Sequence, residues 1–223
     1  MTTAAPEPVR DQTRCWWCLG DAGYVAYHDT EWGRPERDDR ALFEKISLEG
    51  FQAGLSWLTI LRKRPHFRHA FANFDVQAVA RFGEPDVARL LGDARIVRHR
   101  GKIEAVVHNA KRIAQVMDRH GSLAAFVWQF EPDPATRPAH LDKATLCTMP
   151  TSRESTALSK ELRRLDFKFV GPTTCYAFMQ AMGLVNDHVA GCAVRDEVEQ
   201  LRTRFARPGS LALRPEDLSA QRA

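Results

Sequence analysis

Apolar residues recur along this chain at steps of three and four, and few segments alternate apolar with polar positions, a pattern that predicts an all-α protein. Asp38 to Trp57 reads as one helix whose start Asp38 or Asp39 can cap; Leu42, Ile46, Glu49, Ala53 and Trp57 share one face of it. Thr59 to Asn73 is strongly basic, with Phe67, Phe71 and Phe74 expected to pack inward, and Asp75 to Leu91 suits another helix or two. A second basic run, Arg95 to Lys102, leads into an amphipathic helix that should bury Ile103, Val106, Val107, Ala110, Ile113, Ala114 and Met117 and stop near Gly121. Leu123 to Phe130 is a short apolar segment and Glu131 to His140 a Pro-rich loop. Ser152 to Leu165 is helical, with Leu158, Leu162 and Leu165 on one face. It delivers the chain to Phe169-Val170-Gly171-Pro172, a tight turn in which Gly171 is expected to take a positive φ and Pro172 to open the next helix. That helix runs from Thr173 to Met182, with Gly183 as its stop.

The polar exceptions to this pattern carry the candidate chemistry. Glu49 falls within an apolar stripe, where a charge costs free energy unless it is paired or used, and Gly50 and Gly54 leave space beside it, as a pocket needs. Four of the five tryptophans lie between Trp16 and Trp57 and, with Tyr24 and Tyr27, are dense enough for a stacking pocket; the plain alternative is that each is core. Electron-rich aromatic faces attract cations. A helix, a Val-Gly turn and a second helix resemble the helix-hairpin-helix module of DNA repair glycosylases, in which backbone N–H groups of the turn and the following helix start face a DNA phosphate. The basic loop at 95–102 is either a phosphate contact or a solvated helix start.

Length and composition narrow the setting. The chain has 223 residues, enough for one domain or two small lobes, and a formal net charge of +4, compatible with a polyanion partner. No apolar run is long enough to span a membrane, and the first fourteen residues have no apolar core, so no secretory signal is expected there. Five cysteines, an odd number, suit metal ligation or free thiols better than a disulfide framework, and a cytoplasmic setting is expected from them. Cys15 and His28 form a C-x12-H pair, and His188 and Cys192 an H-x3-C pair; together they would make a closed structural zinc site, with Cys15-x2-Cys18 as the competing half-site.

Five blocks then bear on identity: YHDTEWG at 27–33, LEGFQAGLSW at 48–57, RHRGKI at 98–103, DFKFVGPTTCYAFMQAMGLVNDHV at 166–189 and GC at 191–192. In this order they closely resemble the DNA-3-methyladenine glycosylase I family, from about Arg14 to Cys192. The resemblance implies a helix-hairpin-helix glycosylase fold over 14–195, with the motif at about 158–184, zinc tying an N- and C-terminal subdomain, and tails at 1–13 and 196–223. It implies one structural Zn2+ on Cys15, His28, His188 and Cys192, which sets Cys18 aside. It implies a base pocket of Glu49, Tyr24, Tyr27, Trp32 and Trp57, with Glu49 also the catalytic candidate and Leu55 filling the gap left by a flipped nucleotide. Lys168, Phe169, Val170, Gly171 and Thr173 would contact DNA.

The implied activity is release of 3-methyladenine from alkylated double-stranded DNA by a monomer, leaving an abasic site. Related glycosylases carry an Asp that supports the sugar cation; here Asn186 occupies that position, and Asp187 substitutes only if the register slips by one. Bifunctional relatives place a Lys just after the hairpin Gly-Pro; here Thr173 stands there, so no strand cleavage is expected. Two alternatives follow. A catalytically silent damage-binding protein would be retained on alkylated DNA without base release. A zinc-stabilised interaction module, its aromatics simply core, would bind no 3-methyladenine.

Overall fold

The structure, a computed structural model, describes residues 13–209, and these are helical throughout, with no strand among them. The helices are α1 (Ala22–Thr30), α2 (Asp39–Gln52), α3 (Trp57–Ala70), α4 (Val76–Ala80), α5 (Glu84–Gly92), α6 (Arg100–His120), α7 (Leu123–Val127), α8 (Lys143–Cys147), α9 (Arg153–Arg164), α10 (Pro172–Ala181) and α11 (Arg195–Arg204). Side chains close helix starts: Asp38, an expected cap, accepts from Ala41 N at 2.8 Å, and His99, which the sequence did not single out as a cap, accepts from Lys102 N at 3.2 Å.

Helix α2 is the hub, packed against α3, α6, α7 and α10. Its inner face carries Leu42, Phe43 and Phe51, fully buried, into a core with Phe67, Phe71, Phe74 and Ile103. The predicted helix over 38–57 is in fact two. Gly54 takes φ +80°, and Ser56 starts α3 by accepting from Thr59 N at 3.2 Å, so Ala53 is exposed while Trp57 reaches the core from the next helix. The ending of α2 is held from below. Lys102, expected on a basic surface, is 8% exposed and donates from Nζ to Phe51 O at 2.9 Å and to Ala53 O, satisfying the open carbonyls of that helix end.

The turn between α9 and α10 differs from expectation in one respect. Gly171 has φ −65°; the left-handed residues are Asp166 at +65° and Phe169 at +56°. Neighbours hold them there. The Asn109 side chain donates to Lys168 O at 3.0 Å and accepts from Lys168 N at 2.8 Å, and Ser159 donates to Val170 O at 2.6 Å. Gly50 serves this turn and not the pocket: a Cβ there would lie 3.3 Å from Phe169 Cβ. Gly183 does end α10, at φ +73°, and a Cβ on it would fall 2.4 Å from Pro35 N, so the close approach also requires glycine.

The C-terminal tail expected from residue 196 begins as a packed helix. Val198 is fully buried, and Arg202, 7% exposed, donates to Gly183 O and pairs with Glu131 at 3.0 Å. The end of the chain, including Ser210 to Arg214, and the N-terminal tail before Thr13 lie outside the described residues. No described helix is long and apolar enough to cross a membrane.

Candidate active site

Four side chains from opposite ends of the chain converge. Cys15, His28, His188 and Cys192 are buried, and their ligand atoms all lie within 4.8 Å of one another. His28 Nε2 stands 3.1 Å from His188 Nδ1 and 3.5 Å from Cys192 Sγ; His188 Nδ1 stands 3.5 Å from Cys192 Sγ and 3.8 Å from Cys15 Sγ. The outer nitrogens are committed elsewhere. His28 Nδ1 donates to Asp29 at 2.7 Å and His188 Nε2 to Trp32 O at 3.1 Å, so both inner nitrogens present lone pairs to the same point. The set can hold a metal ion. Cys18 stays outside it, donating to Cys15 O at 3.1 Å.

Trp32 lies between these histidines and a cavity. Trp32 stacks on His28 and meets His188 edge-on, with ring centroids 6.3 and 4.7 Å apart. Trp17 packs on Trp32 at 4.9 Å and on Tyr24 at 5.0 Å, and Tyr27 packs on Trp57 at 5.5 Å. Together with Trp16 they enclose about 250 Å³, closed on the other side by Glu49, Gln52, Leu146, Ala177, Gln180 and Asp187. All five residues expected for the base pocket therefore line one cavity. Trp57 Nε1 is buried without an acceptor.

Glu49 is 5% exposed, and among the described residues its carboxylate accepts no hydrogen bond. Burial pushes it up to about 7, an effect offset in part by the charge of Lys45. Lys45 was not singled out by its place in the sequence. It is buried one helical turn from Glu49, donates to Tyr27 Oη at 2.8 Å, and is itself held down at about 8 by burial.

The Asn186-Asp187 pair is placed the other way round from the simplest expectation. Asn186 points at α11, donating to Arg195 O at 3.1 Å and Glu199 at 3.0 Å. Asp187 reaches the cavity, fully buried, with its carboxylate taken up by Arg137, by Tyr176 at 2.7 Å and by Gln180 at 2.8 Å. No spacing in the sequence announces that network, because Arg137 arrives from the Pro-rich loop.

Outside the cavity, Leu55 and Phe169 are exposed at 42% and 41%. Lys168 and Thr173 are exposed as well, whereas the Val170 side chain is buried, leaving only its backbone available to a partner. The His99 ring meets Phe169 edge-on at 6.3 Å, which joins the basic loop before α6 to the hairpin.

Comparison with known proteins adds the following. Residues 17–196 match the family model described as Methyladenine glycosylase. The chain is 52% identical over 180 residues to DNA-3-methyladenine glycosylase 1 of Escherichia coli (strain K12), covering 80% of this chain and 95% of that one. A 3-methyladenine DNA glycosylase I from Staphylococcus aureus, solved for its recognition of 3-methyladenine, superposes with a TM-score of 0.76 at 35% identity, over 82% of this chain and 97% of that one. A glycosylase I variant solved in complex with 3-methyladenine gives a TM-score of 0.72 at 36% identity, over 78% and 93% of the two chains.

Proposed function

The chain belongs to the methyladenine glycosylase family, and from that premise we propose that it flips 3-methyladenine out of alkylated double-stranded DNA and hydrolyses its N-glycosidic bond, leaving an abasic site in an intact strand. The observation that carries this reading is Glu49, a buried carboxylate without a hydrogen-bond partner, aimed into an aromatic cavity.

While attached to its sugar, 3-methyladenine carries a positive charge, so it leaves readily and needs little acid catalysis. Selectivity then matters more than acceleration of the bond cleavage. Tyr24, Tyr27, Trp32 and Trp57 stack on the base, and their electron-rich faces favour the cation by about 0.5–2 kcal/mol per contact. Glu49 accepts hydrogen bonds from the amino edge of the base. Normal adenine is neutral and loses the first advantage. Water is the nucleophile, and the Glu49 carboxylate would also steady the positive charge that develops on the sugar. Asp187 is already satisfied by three donors and shapes the cavity wall.

Leu55 enters the stack where the base has left, as apolar wedges do. Phe169, Lys168, Thr173 and the backbone of Val170 and Gly171 hold the adjoining phosphates. The absence of strand cleavage is supported by the Thr173 position and by the cavity lining, which contains no lysine.

Cys15, His28, His188 and Cys192 would hold zinc. A zinc tetrahedron with ordinary bond lengths has edges of roughly 3.3–3.8 Å; the separations of 3.5, 3.5 and 3.8 Å fall in that range, and the 3.1 Å between the two imidazole nitrogens is just short of it. With four protein ligands and no open position, the ion supplies a structural tie and no chemistry. The five cysteines form no disulfide with one another, which suits a reducing compartment such as the cytoplasm, and nothing in this reading requires more than a monomer.

The test is base release. Purified protein is incubated with methylated DNA, and freed bases and strand lengths are analysed. Selective appearance of 3-methyladenine with uncut strands is expected. Retention on the damaged DNA without release would favour the silent binder, and release with strand breaks would overturn the monofunctional assignment.

A further inference from the structure

We propose that Lys45 is a positioning residue of the base cavity: a buried ammonium behind the aromatic wall that keeps Glu49 in its carboxylate form, ready to accept from the incoming base. This rests on the reading of Glu49 as the base-recognising acceptor.

Lys45 is 5% exposed, and its Nζ lies 4.1 Å from the Trp57 ring centroid and 4.6 Å from that of Tyr27, while donating to Tyr27 Oη. Among the described residues no carboxylate comes within ion-pair distance of it, so this is not one half of a surface salt bridge. Lysine seldom stays buried unless paired or used. Lys45 is not part of the cavity lining, so it acts through Glu49 and the rings and does not touch the base.

The surrounding charges leave it one unmatched counterpart. Tyr27 and Glu31 face Lys45 from α1 and its end, Glu44 and Glu49 from α2, and Arg64 from α3. Glu31 is taken by Arg64 at 2.5 Å and Glu44 by Arg68 at 2.8 Å. Around Glu49 stand Tyr24 and Tyr27 on α1, Lys45 on α2, and across the cavity Gln180 and Asp187, the latter paired with Arg137. Lys45 and Glu49 are thus the two charges here without a contacting partner of opposite sign. They sit four residues apart on one helix, the spacing at which opposite charges face each other.

The consequence is directional. Burial drives Glu49 toward the protonated form, and the Lys45 charge is what opposes it. A protonated Glu49 loses acceptor capacity toward an amino edge. Removing the ammonium therefore moves the loss of base recognition to higher pH.

The experiment titrates the Glu49 carboxyl by 13C NMR, its resonance assigned by disappearance in Glu49→Gln, in the parent protein and in Lys45→Met and Lys45→Gln. Binding of 3-methyladenine is followed over the same pH range by tryptophan fluorescence. In both variants the Glu49 midpoint should rise by about one pH unit or more, and the acid limb of base binding should move with it; the base's own protonation is common to all three proteins. An unchanged midpoint in folded variants, or unfolding of both, overturns the proposal. If the parent protein binds no 3-methyladenine while the midpoint still moves, the function proposed for the cavity fails and the coupling stands.

Discussion

Exchanging Glu49 for glutamine should weaken base recognition and strengthen the fold at once. The two side chains are nearly isosteric, so the change removes charge without opening a void. A hydrogen bond to an ionised acceptor contributes about 1.5–3 kcal/mol and a neutral one about 0.5–1.5. The difference of about 1–2 kcal/mol corresponds to roughly 5- to 30-fold weaker binding of 3-methyladenine. Stability moves the other way. The folded carboxyl is raised from 4.5 to about 7 by burial, so the parent protein loses stability as pH rises between those values. At 1.36 kcal/mol per pH unit this amounts to about 3 kcal/mol, fully expressed above pH 7 and absent below pH 4.5, where the carboxyl is neutral in both folded and unfolded chains. Urea unfolding at pH 5 and pH 8, with base binding by fluorescence, measures both effects. The variant should exceed the parent by less than about 1 kcal/mol at the lower pH and by about 3 kcal/mol at the higher one. A variant that is less stable at pH 8 would make Glu49 a structural charge, and unchanged base affinity would remove it from recognition; either result refutes the reasoning.

Cys192→Ala should abolish the metal site: zinc content measured by elemental analysis falls from one per chain to none. The thermal midpoint drops by roughly 10 °C, as a loss of about 3 kcal/mol gives in a domain of this size. Trp32 fluorescence should change with it, because that ring packs on both His28 and His188. Asn109→Ala withdraws both hydrogen bonds that hold the turn at Lys168 and should cost about 2 kcal/mol of stability. It should weaken DNA binding in a gel-shift assay while leaving the affinity for free 3-methyladenine unchanged, since the hairpin and the cavity are separate.

Helix positions were legible because burial and a period near 3.6 coincide along most of the chain. The amphipathic α6 starts and stops where the pattern places it, from the basic run to Gly121 at φ +86°. The break inside 38–57 was hidden because Gly54 and Ser56 are small interruptions in an otherwise continuous apolar face. Glu49 was visible as a charge on the wrong side of a helix, and the aromatics as a cluster in the sequence.

What the sequence determined alone was the inventory: helices, an out-of-place carboxylate, a crowd of rings, and two Cys-His pairs whose spacing is too unusual to decide between ligand sets. The family blocks supplied the assignment of those residues to roles. Tertiary structure decided what local patterns cannot encode, namely which polar groups meet after the chain has closed on itself. Lys102 reads as one more surface cation until it is seen under the carbonyls of α2. Asp187 reads as the neighbour of the interesting position until Arg137, fifty residues earlier, is found beside it. Lys45 lies on the same helix as Glu49, yet its neighbours on α1 and α3 are what strip it of water and leave it facing that carboxylate. Periodicity reports which face of a helix is buried; only the packing of the helices reports what a buried charge finds there.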